Sequence, residues 1–171
     1  TISGAAAENK VYDGSLEAVI SGASLSGIVG EDEVSLAGAD TGTFAQATVG
    51  TSIAVSTAIT LEGADAYKYT LVQPEGLQAD ITPKELTVTG VSAASKVYDG
   101  NTDATLSGAT LEGVAGEDEV TLADAGTGVF AQAGAGTGIA VSTAMTLGGA
   151  DASNYTLAQP EGLQADINPE E

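Results

Sequence analysis

Residues 1 to 85 align without a gap onto residues 87 to 171, at a constant offset of 86, and 56 of the 85 aligned pairs are identical. Val11-Tyr12-Asp13-Gly14 recurs as Val97-Tyr98-Asp99-Gly100, and Gly30-Glu31-Asp32-Glu33-Val34 recurs as Gly116-Glu117-Asp118-Glu119-Val120. The stretch from Gln73 to Ile81 returns unaltered from Gln159 to Ile167. A solenoid unit of roughly 20 to 50 residues cannot bury a core alone, whereas a period of this length suits an independently folding module. The expected domains are therefore residues 1–83 and 84–171. Thr1-Ile2-Ser3-Gly4 matches Thr87-Val88-Thr89-Gly90, which starts the sequence one residue into its first repeat and leads us to expect further copies beside these two.

Each module reads as β-structure. Ile53, Val55, Thr57, Ile59 and Leu61 alternate with Ala54, Ser56, Ala58 and Thr60, the period-2 pattern of a long strand with one larger, more apolar face, and residues 139 to 147 repeat it. Val34-Ser35-Leu36, Tyr69-Thr70-Leu71, Leu77 to Ile81 and Leu86-Thr87-Val88-Thr89 read as shorter strands. The chain's 23 glycines, with Asp and Pro, supply turns between them. One short helical turn is expected at Gly27 to Val34 and its counterpart Gly113 to Val120. These signals point to an all-β fold: two tandem antiparallel β-sandwich modules, Ig-like, in an elongated arrangement across the short proline-bearing join Ile81 to Leu86. β-grasp-like modules are the alternative, and they require a longer helix than the sequence offers.

Composition narrows the function. Apolar residues make up 43% of the chain but aromatics only 4%, so the cores rest on Val, Ile, Leu and Ala around a few rings. Acidic residues number 24 against 4 lysines, with no arginine or histidine, for a formal net charge of −20. Such a chain repels a phosphate backbone, so nucleic acid is excluded as a partner, and an anionic membrane surface is disfavoured. No apolar run approaches the ~18 residues of a membrane-spanning helix. Without cysteine or histidine, disulfides, thiolate or histidine metal sites and the usual nucleophile–histidine arrangements are not available. No pair of carboxylates is marked for glycoside hydrolysis. We expect no enzyme and no cofactor, with calcium as the one candidate ion.

The calcium candidates are Glu31, Asp32 and Glu33, repeated at Glu117, Asp118 and Glu119. Calcium takes six to eight oxygens from more than one segment, so Asp65 and Asp80, or Asp151 and Asp166, would have to join them. A solvated acidic loop is the simpler reading. Tyr12-Asp13-Gly14 and Tyr98-Asp99-Gly100 read first as a packed tyrosine beside an Asp-capped turn, and second as a surface tyrosine and carboxylate that bind a partner. Gly134-Ala135-Gly136-Thr137-Gly138 lacks the Lys-Ser/Thr of a phosphate loop and reads as a turn. Asn154-Tyr155-Thr156 is a formal glycosylation sequon, replaced by Lys68 in the first copy.

Taken in order, Lys-Val-Tyr-Asp-Gly (10 to 14 and 96 to 100), Gly-Glu-Asp-Glu-Val, the Gly42 to Ala45 run with Gly128 to Ala131, and the Gly-Ala-Asp-Ala…Tyr-Thr-Leu tail resemble the YDG repeat family across essentially the whole chain. That resemblance implies repeats of large bacterial surface and secreted adhesins of the filamentous-haemagglutinin type. It implies an extracellular, cell-surface location and a stalk that projects a terminal binding domain in adhesion or biofilm formation. The expected partners are neighbouring repeats of the same chain, in a monomer. The alternative is a module that itself binds a surface glycan or glycoprotein. In some surface adhesins a lysine condenses with Asn or Asp into an isopeptide crosslink; Lys10 and Lys96, the lysines shared by both copies, are the residues such chemistry would use.

Overall fold

Alternating residue size and closely spaced turn formers favour short strands, and in the computed structural model, which describes residues 1–171, the regular elements are all strands apart from two single-turn 3-10 helices. The chain divides into two compact units, Thr1–Pro83 and Lys84–Glu171.

The first unit contains β1 (Ile2–Ser3), β2 (Ala6–Ala7), β3 (Lys10–Val11), β4 (Glu17–Ser21), β5 (Ser24–Leu25), β6 (Ser35–Ala37), β7 (Thr41–Phe44), β8 (Gly50–Ser56), β9 (Thr60–Glu62) and β10 (Gln78–Thr82). Six of them form one sheet in the order β2-β4-β7-β8-β10-β3, and β1-β5 and β6-β9 form two small ones. β2 and β3 occupy opposite edges of the large sheet, yet only Glu8 and Asn9 separate them in the chain. A link that short spans about 10 Å, so the two edges must approach and the sheet curls on itself. Asn9 stitches the seam, its Oδ1 accepting the backbone N–H of Asp80 on β10 at 2.7 Å.

Inside the curl lie Ala18 and Ile20 of β4, Phe44 of β7, Ile53 and Val55 of β8, and Ala79 and Ile81 of β10, all buried. Each strand contributes every second residue, as the pleat requires, and each large side chain buried this way stabilises the unit by roughly 1.5–3 kcal/mol. Gly42 is small for a reason: a Cβ there would lie 2.9 Å from Val55 Cγ1 and 3.1 Å from Ile20 Cδ1. The glycine lets the two neighbours close over its own backbone.

The second unit repeats the plan with β11 (Lys84–Thr89), β12 (Ser92–Ala93), β13 (Lys96–Val97), β14 (Asp103–Ser107), β15 (Thr110–Glu112), β16 (Thr121–Ala123), β17 (Thr127–Phe130), β18 (Gly136–Ser142), β19 (Thr146–Gly148), β20 (Tyr155–Ala158) and β21 (Gln164–Asn168). Its large sheet runs β12-β14-β17-β18-β21-β13, flanked by β15-β11-β20 and β16-β19. Val88 of β11, Leu122 of β16 and Leu157 of β20 pack onto the cluster of Leu106, Phe130, Val141, Met145 and Ile167, so the small sheets form a second layer over the curled one.

All-β tandem modules are thus what the alternation predicts, but several details differ. The long strand read over 53 to 61 is two strands, β8 and β9, in different sheets, because the chain leaves the ladder at Thr57–Ile59. Three pairings are parallel, β3 with β10, β13 with β21 and β11 with β20, so the units are not antiparallel throughout. The six-strand order closing on itself takes the place of an Ig-like pair of open sheets. The segments 27 to 34 and 113 to 120 hold only hydrogen-bonded turns; the helical turns fall instead at Ala66–Lys68 and Ala152–Asn154. Neither is the long helix of a β-grasp.

Candidate functional site

The signature residues of both repeats sit on a corner between β3 and β4, or β13 and β14. Lys10 Nζ donates to Asp13 Oδ1 at 2.7 Å, to the Ser15 carbonyl at 2.8 Å and to Ser15 Oγ at 2.9 Å. Asp13 Oδ1 also accepts the Ser15 N–H at 2.9 Å, an Asx turn that folds the chain back over Gly14. Gly14 and Gly100 hold φ of 79° and 78°, the left-handed region open to glycine at little cost. In the second unit Lys96 Nζ donates to Asp99 Oδ1 at 2.8 Å, to the Asn101 carbonyl at 3.0 Å and to Asn101 Oδ1 at 2.7 Å. Both ammonium groups stand over a buried ring, 5.5 Å from the Phe44 centroid and 5.6 Å from that of Phe130, within cation–π range.

Electrostatics follow from this geometry. Partial burial works against the Asp13 carboxylate, yet the hydrogen bonds from Lys10 and Ser15 outweigh it and hold the group below its ordinary value. Asp99 is lowered by Lys96 first and the Asn101 N–H second. Each lysine spends its three donors on its own loop. As for a crosslink, Lys96 faces both Asp99 and the Asn101 amide, whereas Ser15 stands at the Asn101 position in the first unit and Asp13 is the group facing Lys10. The tyrosines diverge: Tyr12 is 5% exposed and Tyr98 is 43% exposed.

The acidic triplets meet a different set of partners. Tyr69 Oη donates to Asp32 Oδ2 at 2.7 Å and accepts the Val29 N–H at 3.0 Å. Lys68 Nζ pairs with Asp32 at 3.1 Å and with Asp65 at 2.7 Å. Asp65 Oδ2 accepts the Glu33 N–H at 2.9 Å. The second unit keeps the clasp without the lysine: Tyr155 Oη donates to Asp118, the Ala115 N–H donates to Tyr155 Oη at 3.0 Å, and Asp151 Oδ2 accepts the Glu119 N–H at 2.9 Å. Hydrogen bonding to Lys68 lowers the Asp65 carboxyl. Asp32 raises the Tyr69 hydroxyl, and burial, then Asp118, raises that of Tyr155.

Of the residues expected to gather around calcium, the fold brings Asp32 to Asp65, but around a lysine, a tyrosine hydroxyl and backbone N–H groups. Asp80 and Asp166 are elsewhere, accepting the N–H of Ser52 at 2.8 Å and of Gly138 at 2.7 Å across the β8–β10 and β18–β21 ladders. Glu31, Glu33, Glu117 and Glu119 do not complete a set, and no three acidic side chains are grouped as metal ligands. In the glycine-rich loop it is thus the Asp166 carboxylate that Gly138 binds. Asn154 of the sequon is 3% exposed.

One pair of polar residues escaped the sequence reading. Gln73 Oε1 accepts from Thr57 Oγ1 at 2.9 Å and the Ile59 N–H at 3.0 Å, while its Nε2 donates to the Ile59 carbonyl at 2.7 Å. The carboxamide thereby imitates a neighbouring strand where the ladder breaks. Gln159 does the same for Thr143 and Met145, at 2.8, 3.0 and 2.7 Å. The signal was present, since both glutamines open the unaltered stretch, but an amide carries no mark of its target.

The family model of the YDG domain matches residues 1–76 and again 82–162. No curated protein and no solved structure shows significant similarity to the chain. The motifs that build the lysine corner and the tyrosine clasp, together with these two matches, place the chain in the YDG domain family, in two tandem copies.

Proposed function

We propose that the two units are non-catalytic extender repeats of a bacterial surface adhesin, placed to hold a terminal binding domain away from the cell. The observation that carries this reading is that the family's polar signature is engaged within the fold, in the same way twice. Lys10 and Asp13, and likewise Lys96 and Asp99, bond to their own loop; Asp32 accepts from Tyr69 and Lys68, Lys68 also pairs with Asp65, and Asp65 and Tyr69 accept from neighbouring backbone N–H groups. Residues that serve a ligand would keep donors or acceptors directed outward; these are directed at the turns they close.

The high negative charge suits a surface repeat, since it keeps neighbouring copies apart. The resemblance supplies the adhesin context. The test is a display experiment, with zero, two or four units placed between a bacterial surface and an unrelated binding domain. Adhesion is expected to increase with the number of units, and an unrelated spacer of equal length should substitute for them. Adhesion by the units without the binding domain would contradict the proposal.

A further inference from the structure

The signature corner of each repeat joins two residues whose neighbourhood is a chemical weakness. Gly14 and Gly100 hold φ of 79° and 78°, a conformation that a residue with a Cβ rarely adopts. Space alone would admit a side chain, since nothing lies within 4 Å of where Gly100 would carry a Cβ, and only the Tyr12 hydroxyl, at 3.9 Å, does so for Gly14. The backbone, then, is what demands glycine. The turn demands the aspartate before it, whose Oδ1 accepts the N–H two residues on, 2.9 Å away at Ser15 and 3.1 Å away at Asn101.

Aspartate followed by glycine is the pair at which a main chain rearranges most readily, because no Cβ shields the glycine nitrogen. That nitrogen attacks the carbon of the protonated aspartate carboxyl. An N–C bond forms, the carboxyl hydroxyl leaves as water with the amide proton, and a succinimide ring closes. Water then adds at the main-chain carbonyl carbon of the aspartate and breaks its bond to the glycine nitrogen. The chain now runs through the aspartate side chain as isoaspartate, longer by one methylene, and the carboxylate that closed the turn has become a main-chain amide.

We propose that the signature lysine protects the corner against this rearrangement, Lys10 at Asp13-Gly14 and Lys96 at Asp99-Gly100. Each Nζ lies on the same Oδ1 that the turn N–H binds, at 2.7 Å from Asp13 and 2.8 Å from Asp99. Two donors on one oxygen keep the carboxyl plane from turning toward the glycine nitrogen. Lys96, and then the Asn101 N–H, also hold the Asp99 carboxyl below its ordinary value, in the ionised form that has no hydroxyl to lose. The lysine side chains are 17% and 18% exposed, seated over Phe44 and Phe130, whereas the aspartates are 54% and 47% exposed, open to the water that completes the reaction. Asp13 Oδ1 has a third donor, Ser15 Oγ at 2.9 Å. In the second unit Asn101 stands at that position and its Oδ1 accepts from Lys96 instead, which makes Asp99-Gly100 the weaker of the two corners.

The experiment ages the full chain in mildly acidic buffer below its melting temperature and counts isoaspartate at each Asp-Gly pair by peptide mass spectrometry. In the native chain it should form slowly, and faster at Asp99 than at Asp13. Lys96→Met is expected to raise the rate at Asp99 several-fold and leave Asp13 unchanged; Lys10→Met should do the reverse. Leu106→Ala, which weakens the buried core of the second unit and leaves the corner's residues in place, separates this role from a merely structural one and should keep Asp99 near its native rate. Equal rates at Asp99 in the native chain and Lys96→Met, or a rise in Leu106→Ala as large as that in Lys96→Met, would overturn the proposal.

Discussion

Gln73 and Gln159 stand where each long alternation of large and small residues leaves its sheet, and each bonds three backbone or hydroxyl groups that the break would strand. Replacing Gln159 with Ala leaves the Met145 N–H and carbonyl without partners, at a cost of about 2 kcal/mol to the second unit, readable by urea denaturation. Gln159→Glu should cost more at neutral pH, because a carboxylate would then face the Met145 carbonyl, and should recover as the pH falls toward 4. A second comparison comes from the copies themselves. Ser52 holds a φ of 51° where its counterpart Gly138 holds 60°, and both donate an N–H to an aspartate on the partner strand. A left-handed serine is strained by roughly 1 kcal/mol, so Ser52→Gly is expected to stabilise the first unit by about 0.5 kcal/mol net of the added chain entropy. An unchanged or lower melting temperature would show that the strain is not there.

Among elements, β11 has the largest assigned effect, because its central residue is fully buried and joins two strands. Leu86→Ala should destabilise the second unit by about 2–5 kcal/mol and speed exchange across Tyr155–Ala158, which pairs with β11. Most of the strands were legible, because Ile53, Val55, Ala79 and Ile81 alternate with small or polar residues along their strands. The break at Thr57–Ile59 was not, since Ile59 and Leu61 continue the pattern while facing a different sheet. Alternation records which side of a strand is buried and says nothing of which sheet buries it. Curling of the six strands was also hidden, as it depends on β2 and β3 pairing at opposite edges. At the candidate sites, the Asp-Gly turn could be read directly, whereas the partners of Asp32 and Asp80 could not, because convergence of distant segments leaves no trace in local spacing.

For the whole molecule, charge sets the response to pH. From neutral down to about pH 5, protonation of some of the 24 acidic groups relieves repulsion in a chain of formal net charge −20, and stability should rise. Asp13, Asp65 and Asp99 are held below their ordinary 3.8 in the fold. What they contribute is complete above that value and is lost as the pH falls through the lowered folded values. Melting temperature should therefore peak on the acid side of neutral and drop below about pH 4, with a shallower drop in the Asp13→Asn, Asp99→Asn double variant. The central claim, that the signature residues maintain repeats which extend and do not themselves bind, has a more direct test in equilibrium binding of the isolated two-unit chain to cells and immobilised glycans. The account predicts no saturable binding up to high micromolar concentration, for the native chain and for a Lys10→Met, Lys96→Met variant of lower melting temperature alike. Saturable binding by the native chain that is lost with those substitutions, while the fold survives, would contradict it.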